Sequence, residues 1–119
     1  MTKIILISIP MFLLHAWEEY AYQFYLFDPL FGWLGAVFGI SALSIFLIEQ
    51  AIVLVLLLIT AYKLYRSTLI VVGLIIIFEI SHISISLINF SYVPGLITSL
   101  PLLALGTIYW WRFLTLARK

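Results

Sequence analysis

The sequence predicts an all-α membrane protein, a single domain of residues 1–119 folded as a polytopic four-helix bundle. Of the 119 residues, 66% are hydrophobic and 9% are charged, whereas a soluble domain carries about 25% charged residues. Four apolar stretches are long enough to supply the roughly 20 helical residues that cross a bilayer. Because these stretches are continuous rather than short and alternating, they favour helices over barrel strands.

Each of these stretches predicts one helix. The helices are expected at residues 4–27, 41–62, 67–92 and 94–114. Residues 30–40 are apolar but too short to span, and they contain three glycines. We expect this segment to be an interfacial or re-entrant lead into helix two. The alternative is that helix two is long and tilted, with the glycines allowing close helix packing.

The basic residues predict the orientation in the membrane. They lie at the N-terminus, between helices two and three, and at the C-terminal end: Lys3, Lys63, Arg66, Arg112, Arg118 and Lys119. The other two connections contain no Lys or Arg, so the positive-inside rule places both termini in the cytoplasm. A net charge of +1 provides no basic surplus for nucleic acid. The sequence has no cysteine, which excludes disulfides and thiolate ligands.

Six ionisable residues fall inside the predicted spans, and they are the most informative feature of the sequence. They are His15, Glu18, Glu19, Glu49, Glu79 and His82. Each lies 12–17 residues from Lys3 or Arg66, which is a depth of roughly 18–26 Å in a helix. A charged side chain at the centre of a span costs about 2.5–3.5 kcal/mol. With no basic residue at this depth, the glutamates are expected to be protonated or bound to cations.

Helical spacing groups these side chains further. One face of helix one carries His15, Glu18, Glu19 and Tyr22, and one face of helix three carries Glu79, His82, Ser86 and Asn89. Four carboxylates and two imidazoles match the ligands of di-metal carboxylate bundles. Two divalent ions would balance the four carboxylates, and the mixed oxygen and nitrogen ligands favour Fe, Mn or Zn. Tyr22, Ser86 and Asn89 are then expected to support the ligands or touch substrate. The alternative is that each polar group is only a hydrogen-bonded packing residue.

Two motifs give a resemblance to a known family. The segment HAWEE at residues 15–19 resembles the motif of the HXXEE family of small bacterial membrane proteins. His82 and the later segment YVPGLIT at residues 92–98 are similar to the family's second region. The family is named for its motif and not for an activity, and it implies a bacterial cytoplasmic membrane. The resemblance directs attention to Tyr92 and Thr98, as groups beside the ligands or in contact with substrate. Thr98 bonded only to its own helix is the alternative.

Two classes of function are consistent with these residues. The first is a metal-dependent membrane enzyme acting on a lipid or another lipid-soluble molecule. It would be either a di-metal oxidoreductase or a hydrolase with Glu19 as general base. The second is a small proton- or cation-coupled transporter or channel that uses the same cluster. A metal-stabilised scaffold is a third possibility. A homodimer is expected in every case, with Gly35 and Gly39 as a candidate contact.

Overall fold

The computed structural model describes residues 1–63 and 66–117, with side chains as far as Leu116. Within these residues the chain is helical and contains no strand, which confirms the predicted helical class. The helices are α1 (Thr2–Ala21), α2 (Phe24–Phe27), α3 (Pro29–Phe38), α4 (Ala42–Tyr62), α5 (Arg66–Phe78), α6 (Ile80–Asn89) and α7 (Leu96–Ala117). The predicted anchors Arg118 and Lys119 lie outside the described residues.

Three helical stretches are long and apolar enough to cross a membrane: α1, α4, and α5 together with α6. The fourth predicted span corresponds to α7, which is 22 residues long. This helix is not among the three. The arrangement of four spans with cytoplasmic termini therefore stays a prediction.

An apolar core fills one half of the bundle. Both α1 and α5 pack against α4 and α7. The buried core residues are Ile5, Phe12, Val53, Leu57, Leu69, Val72, Ile76 and Tyr109. They come from the N-terminal and central part of α1, from along α5, and from the C-terminal halves of α4 and α7. The opposite ends of α1, α4 and α7, together with α6, form the other half of the bundle, where the polar side chains lie.

The first helix ends at Ala21 and not at residue 27 as predicted. The chain turns at Tyr22 and Gln23, and Gln23 has a left-handed backbone with φ of 58°. This turn leads into α2, where the Phe24 ring lies 4.7 Å from the His82 ring, measured between centroids. The apolar pattern continues through the turn, so hydropathy alone predicted an unbroken helix.

Most of residues 30–40 belong to the separate helix α3 (Pro29–Phe38), so the alternative of one long second helix is wrong. Asp28 caps α3 by accepting a hydrogen bond from the Leu30 N–H at 2.9 Å, and Pro29 suits the first helical turn. Gly39 ends α3 in the left-handed conformation, with φ of 68°. A Cβ on Gly35 would lie 2.6 Å from the Ile40 carbonyl oxygen. Gly35 therefore packs within its own chain and is not a free dimer contact.

The predicted third helix, residues 67–92, is broken at Glu79 into α5 and α6. The Glu79 N–H bonds to the Ile76 carbonyl, three residues back, at 3.3 Å. The break is confined to this one turn, because Glu79 itself keeps helical backbone angles, with φ of −58° and ψ of −22°. After α6, Phe90 has a positive φ of 49° and ends the helix. The predicted fourth helix begins at Leu96 rather than at residue 94, because Gly95 has a φ of 91° that is not helical.

Candidate metal centre

Two histidines and one glutamate meet in the polar half of the bundle. His15 and Glu19 lie one turn apart on α1, and His82 lies on α6; all three are buried. His15 Nε2 is 3.3 Å from Glu19 Oε1, and His82 Nε2 is 3.1 Å from the same oxygen. One ligand atom from each residue lies within 4.8 Å of the others, so this group could hold a metal ion.

The spacing of these atoms fits a small divalent ion. Zinc binds nitrogen and oxygen ligands at about 2.0–2.2 Å, so neighbouring ligand atoms of a tetrahedral site are about 3.3–3.6 Å apart. The separations of 3.1 and 3.3 Å need to change by only a few tenths of an ångström. Two imidazoles and one carboxylate also leave a coordination position open, as in catalytic metal sites.

A chain of hydrogen bonds orients the His15 ring. The Thr98 hydroxyl lies 2.6 Å from Glu18 Oε2 and 2.8 Å from His15 Nδ1. An ionised carboxylate only accepts hydrogen bonds, so Thr98 donates to Glu18 and accepts from His15 Nδ1–H. A neutral His15 then has its lone pair on Nε2, which is the atom that faces Glu19. Partners of this kind fix the tautomer of metal-binding histidines.

Glu18 was predicted as a metal ligand, and the structure places it outside the three-residue group. Its carboxylate accepts hydrogen bonds from the backbone N–H groups of Ile97 and Thr98, at 3.3 and 3.0 Å. These N–H groups belong to the first turn of α7, where a negative charge is favourable. The Tyr92 hydroxyl donates to Glu18 Oε1, the oxygen that also accepts from the Ile97 N–H. Burial and this bond raise the pKa of the Tyr92 phenol, which keeps its proton.

Glu79 lies beside the group, at the break between α5 and α6. Its Oε2 atom is 3.1 Å from His15 Nε2 and is buried without a hydrogen bond. The residue is 7% exposed. Glu79 is thus a further oxygen donor next to the three grouped residues.

Glu49 and Gln50 approach the group from α4. Gln50 Nε2 donates to Glu19 Oε2 at 3.1 Å and lies 3.4 Å from Glu49 Oε2. Gln50 therefore holds the second oxygen of Glu19 and turns the first toward the histidines. Sequence reasoning treated Gln50 as an ordinary packing residue, because a single amide in a span gives no signal of its own. Glu49 is exposed.

Gly95 closes the group from the side of α7. A Cβ at this position would lie 2.8 Å from His15 Cε1 and 3.1 Å from both Glu19 Cγ and His82 Cε1. Its φ of 91° is also unfavourable for any residue with a side chain. Only glycine leaves room for the three ligand side chains here. The Pro94-Gly95 turn was predicted from the sequence, but its contact with the group was not.

The group lies on the wall of a cavity of about 340 Å³, the size of pockets that hold small organic ligands. Four phenylalanines, Phe12, Phe24, Phe31 and Phe78, line it together with aliphatic side chains. The acidic lining consists of Glu19, Asp28, Glu49 and Glu79. Asp28 was not predicted as a site residue, since a lone aspartate before a proline indicates a helix cap.

Three predicted supporting residues do not line this cavity among the residues described. The Ser86 hydroxyl donates to the Ser91 carbonyl at the end of α6. Asn89 is exposed at the same end. The Tyr22 ring packs against Tyr92, with 5.5 Å between centroids. The break at Glu79 and the early end of α1 interrupt the helical faces on which these predictions depended.

Comparisons with known proteins add no relative. No protein-family model matches the chain, and neither the curated proteins nor the solved structures give a match. The resemblance to the HXXEE family therefore stays a prediction, and the candidate function depends on the geometry of the group and its cavity.

Proposed function

We propose that this protein is a metal-dependent enzyme of the bacterial cytoplasmic membrane that acts on a lipid-soluble substrate. One observation supports the proposal most directly. His15 Nε2 lies 3.3 Å from Glu19 Oε1 and 3.1 Å from Glu79 Oε2, and its hydrogen-bonded Nδ1 leaves the lone pair on Nε2. A lone pair and two carboxylate oxygens repel one another unless a proton or a metal cation lies between them, and a divalent ion offsets the charge of both carboxylates. A divalent Fe, Mn or Zn ion suits this mixed nitrogen and oxygen set.

In this proposal the residues of the site have different roles. His15, Glu19 and His82 hold the ion, which when bound supplies a Lewis acid or a redox centre at the cavity wall. Glu19 was predicted as the general base, but its two oxygens already face the histidines and Gln50. Glu79 Oε2 has no hydrogen bond and borders the cavity. We therefore assign the proton-accepting role to Glu79, while the apolar walls bind the substrate and exclude water.

Whether one or two ions bind is a separate part of the proposal. The three-residue group accounts for one ion. A second ion would have to use Glu79 and Glu49, which border the same cavity. The metal-to-protein ratio decides between these two forms of the site.

The test is elemental analysis of protein purified in detergent, together with the variants His82→Ala and Glu19→Ala. We expect one to two equivalents of Fe, Mn or Zn per chain, reduced at least about tenfold in both variants. Asn89→Ala, at the exposed end of the same helix α6, is the control and should keep its metal. Circular dichroism and gel filtration show whether each variant is folded. A folded wild-type protein without metal would overturn the proposal.

The break between α5 and α6 favours transport as the second candidate. Interrupted helices that present polar groups in the middle of a bilayer are typical of ion and substrate sites in transporters. Flux of protons or cations into liposomes distinguishes the two functions. Transport would be favoured if the metal-free wild-type protein conducts protons or cations and the Glu79→Gln variant does not. Metal-loaded protein without flux would favour the enzyme, and metal-loaded protein that also turns over no lipid-soluble substrate would indicate a scaffold.

A further inference from the structure

The lining of the cavity has a strong charge imbalance. It contains four acidic residues, Glu19, Asp28, Glu49 and Glu79, two histidines, and no Lys or Arg. One divalent ion held by His15, Glu19 and His82 would neutralise two of the four carboxylate charges. Two negative charges would remain in an otherwise apolar cavity, where an uncompensated charge is costly.

Buried polar atoms with few partners lie on the same wall. Gln50 Oε1 and His82 Nδ1 are buried without a hydrogen bond, and Glu79 Oε2 lies 3.1 Å from His15 Nε2. All these residues line the cavity. A buried acceptor such as Gln50 Oε1 is normally satisfied in a native protein. A group that donates hydrogen bonds and has a positive charge would satisfy this acceptor and balance the carboxylates.

A second metal ion satisfies these requirements less well than an organic cation. Among residues 1–63 and 66–117, only the His15, Glu19 and His82 group brings three ligand atoms together closely enough for an ion. Asp28 is already engaged with the Leu30 N–H. Glu49 is exposed, and the lining of the same cavity includes the aromatic rings of Phe24 and Phe31. Aromatic faces attract ammonium groups.

We propose that the cavity binds a lipid-soluble amine in its protonated form, with the ammonium group at Glu49 and Glu79 and the apolar part among the phenylalanines. This inference rests on the proposed function, since it names the substrate class of the same site. Glu49 is placed to meet the ammonium first, because it is the exposed carboxylate of the lining. The protonated amine would donate to the Gln50 Oε1 atom that lacks a partner and would pair with the Glu79 carboxylate.

The test measures binding of 4-phenylbutylamine by calorimetry in lipid nanodiscs. The matched probes are 4-phenylbutanol, which has the same shape without the charge, and 5-phenylpentanoate, which has the opposite charge. We expect the amine to bind at least about tenfold more tightly than the alcohol, and the anion to bind least. Glu49→Gln should remove this difference, whereas Glu49→Asp should retain it, because aspartate keeps the charge.

Several results would overturn the inference. Equal binding of amine and alcohol would show that the cavity selects only for apolar character. Displacement of the amine by a second equivalent of Mn²⁺ or Zn²⁺ would assign the remaining acids to a second metal ion. If the monomer prefers the amine and the dimer does not, a second copy of the chain covers Glu49. Metal content is measured in the same samples, so metal-free protein that still prefers the amine would contradict the proposed enzyme and leave this inference intact.

Discussion

Thr98 is the residue on which the orientation of His15 depends. Its hydroxyl is the one group that contacts both the His15 ring and the Glu18 carboxylate in the described hydrogen-bond chain. Glu18 in turn is fixed by backbone N–H groups at the start of α7. The position of α7 is thereby linked to the ring that offers Nε2 to a metal.

We expect Thr98→Val to weaken metal binding about 10–100-fold, the usual effect of removing a group that orients a ligand. Valine has the shape of threonine but leaves His15 Nδ1 without its partner, and Glu18 Oε2 keeps only the hydrogen bond from the backbone N–H of residue 98. The measurement is the metal dissociation constant, from competition with a chelator. Thr98→Ser keeps the hydroxyl and should bind metal as the wild type does. Equal affinity of the valine variant would show that Glu18 and Thr98 do not orient His15.

Gly95 gives a second prediction at the residue scale. We expect Gly95→Ala to lower stability by about 1–3 kcal/mol, because a side chain is strained at its positive φ, and to displace His15 by contact with Cε1. Thermal unfolding in detergent and metal content are the measurements. Gly32→Ala is the control, since a Cβ there has nothing within 4 Å. Unchanged unfolding and metal content in Gly95→Ala would contradict the close packing at this position.

At the scale of elements, the interruptions between helices position the cavity. The turn at Tyr22–Gln23 brings α2 against His82, and the break at Glu79 brings that carboxylate to His15. Helix α3 contributes Leu30, Phe31 and Leu34 to the cavity wall. Its start is fixed by the Asp28 cap, so this single side chain affects both the shape and the charge of the cavity.

The two roles of Asp28 can be separated. We expect Asp28→Ala to destabilise the start of α3 by about 0.5–2 kcal/mol, because it removes the cap, whereas asparagine caps as well as aspartate. Hydrogen exchange of the first turn of α3, measured by mass spectrometry in nanodiscs, should be faster in Asp28→Ala and unchanged in Asp28→Asn. Equally fast exchange in both variants would indicate that the charge, and not the cap, holds α3.

For the whole molecule, the two halves of the bundle have different roles. The half with the buried residues of the core supplies the apolar contacts, and the other half holds the group, the cavity and their hydrogen bonds. The basic residues Lys3, Lys63 and Arg66 lie at the core end of their helices. The positive-inside rule therefore predicts that the core half is nearer the cytoplasm.

The absence of cysteine from the sequence makes this prediction simple to test with single-cysteine variants. A membrane-impermeant maleimide should label Thr2→Cys and Ser67→Cys from the cytoplasmic side and Ser91→Cys from the opposite side. Spheroplasts expose the outer face of the cytoplasmic membrane to the reagent, and inverted vesicles expose its cytoplasmic face. Labelling of Thr2→Cys and Ser67→Cys from different sides would contradict the predicted topology.

The sequence identified most of the polar residues near the site, but it did not show which of them contact one another and which bond to other helices. Four predicted ligands, His15, Glu19, Glu79 and His82, lie together because burial of several ionisable groups in so apolar a chain requires that they satisfy one another. Glu18 satisfies the i, i+3 spacing equally well, yet it bonds to α7. Spacing along one helix shows which face a side chain shares, whereas its partner depends on which other helix packs there.

Composition and the lengths of the apolar stretches by themselves determined the helical class and the predicted membrane location, because both follow from the number of apolar residues in each run. Tertiary structure alone decided where the helices are interrupted, since the runs remain apolar through Gln23 and around Glu79. It also decided that Gln50 and Gly95 belong to the site. Neither residue has a sequence pattern of its own, and each acts only through contact with side chains from another helix.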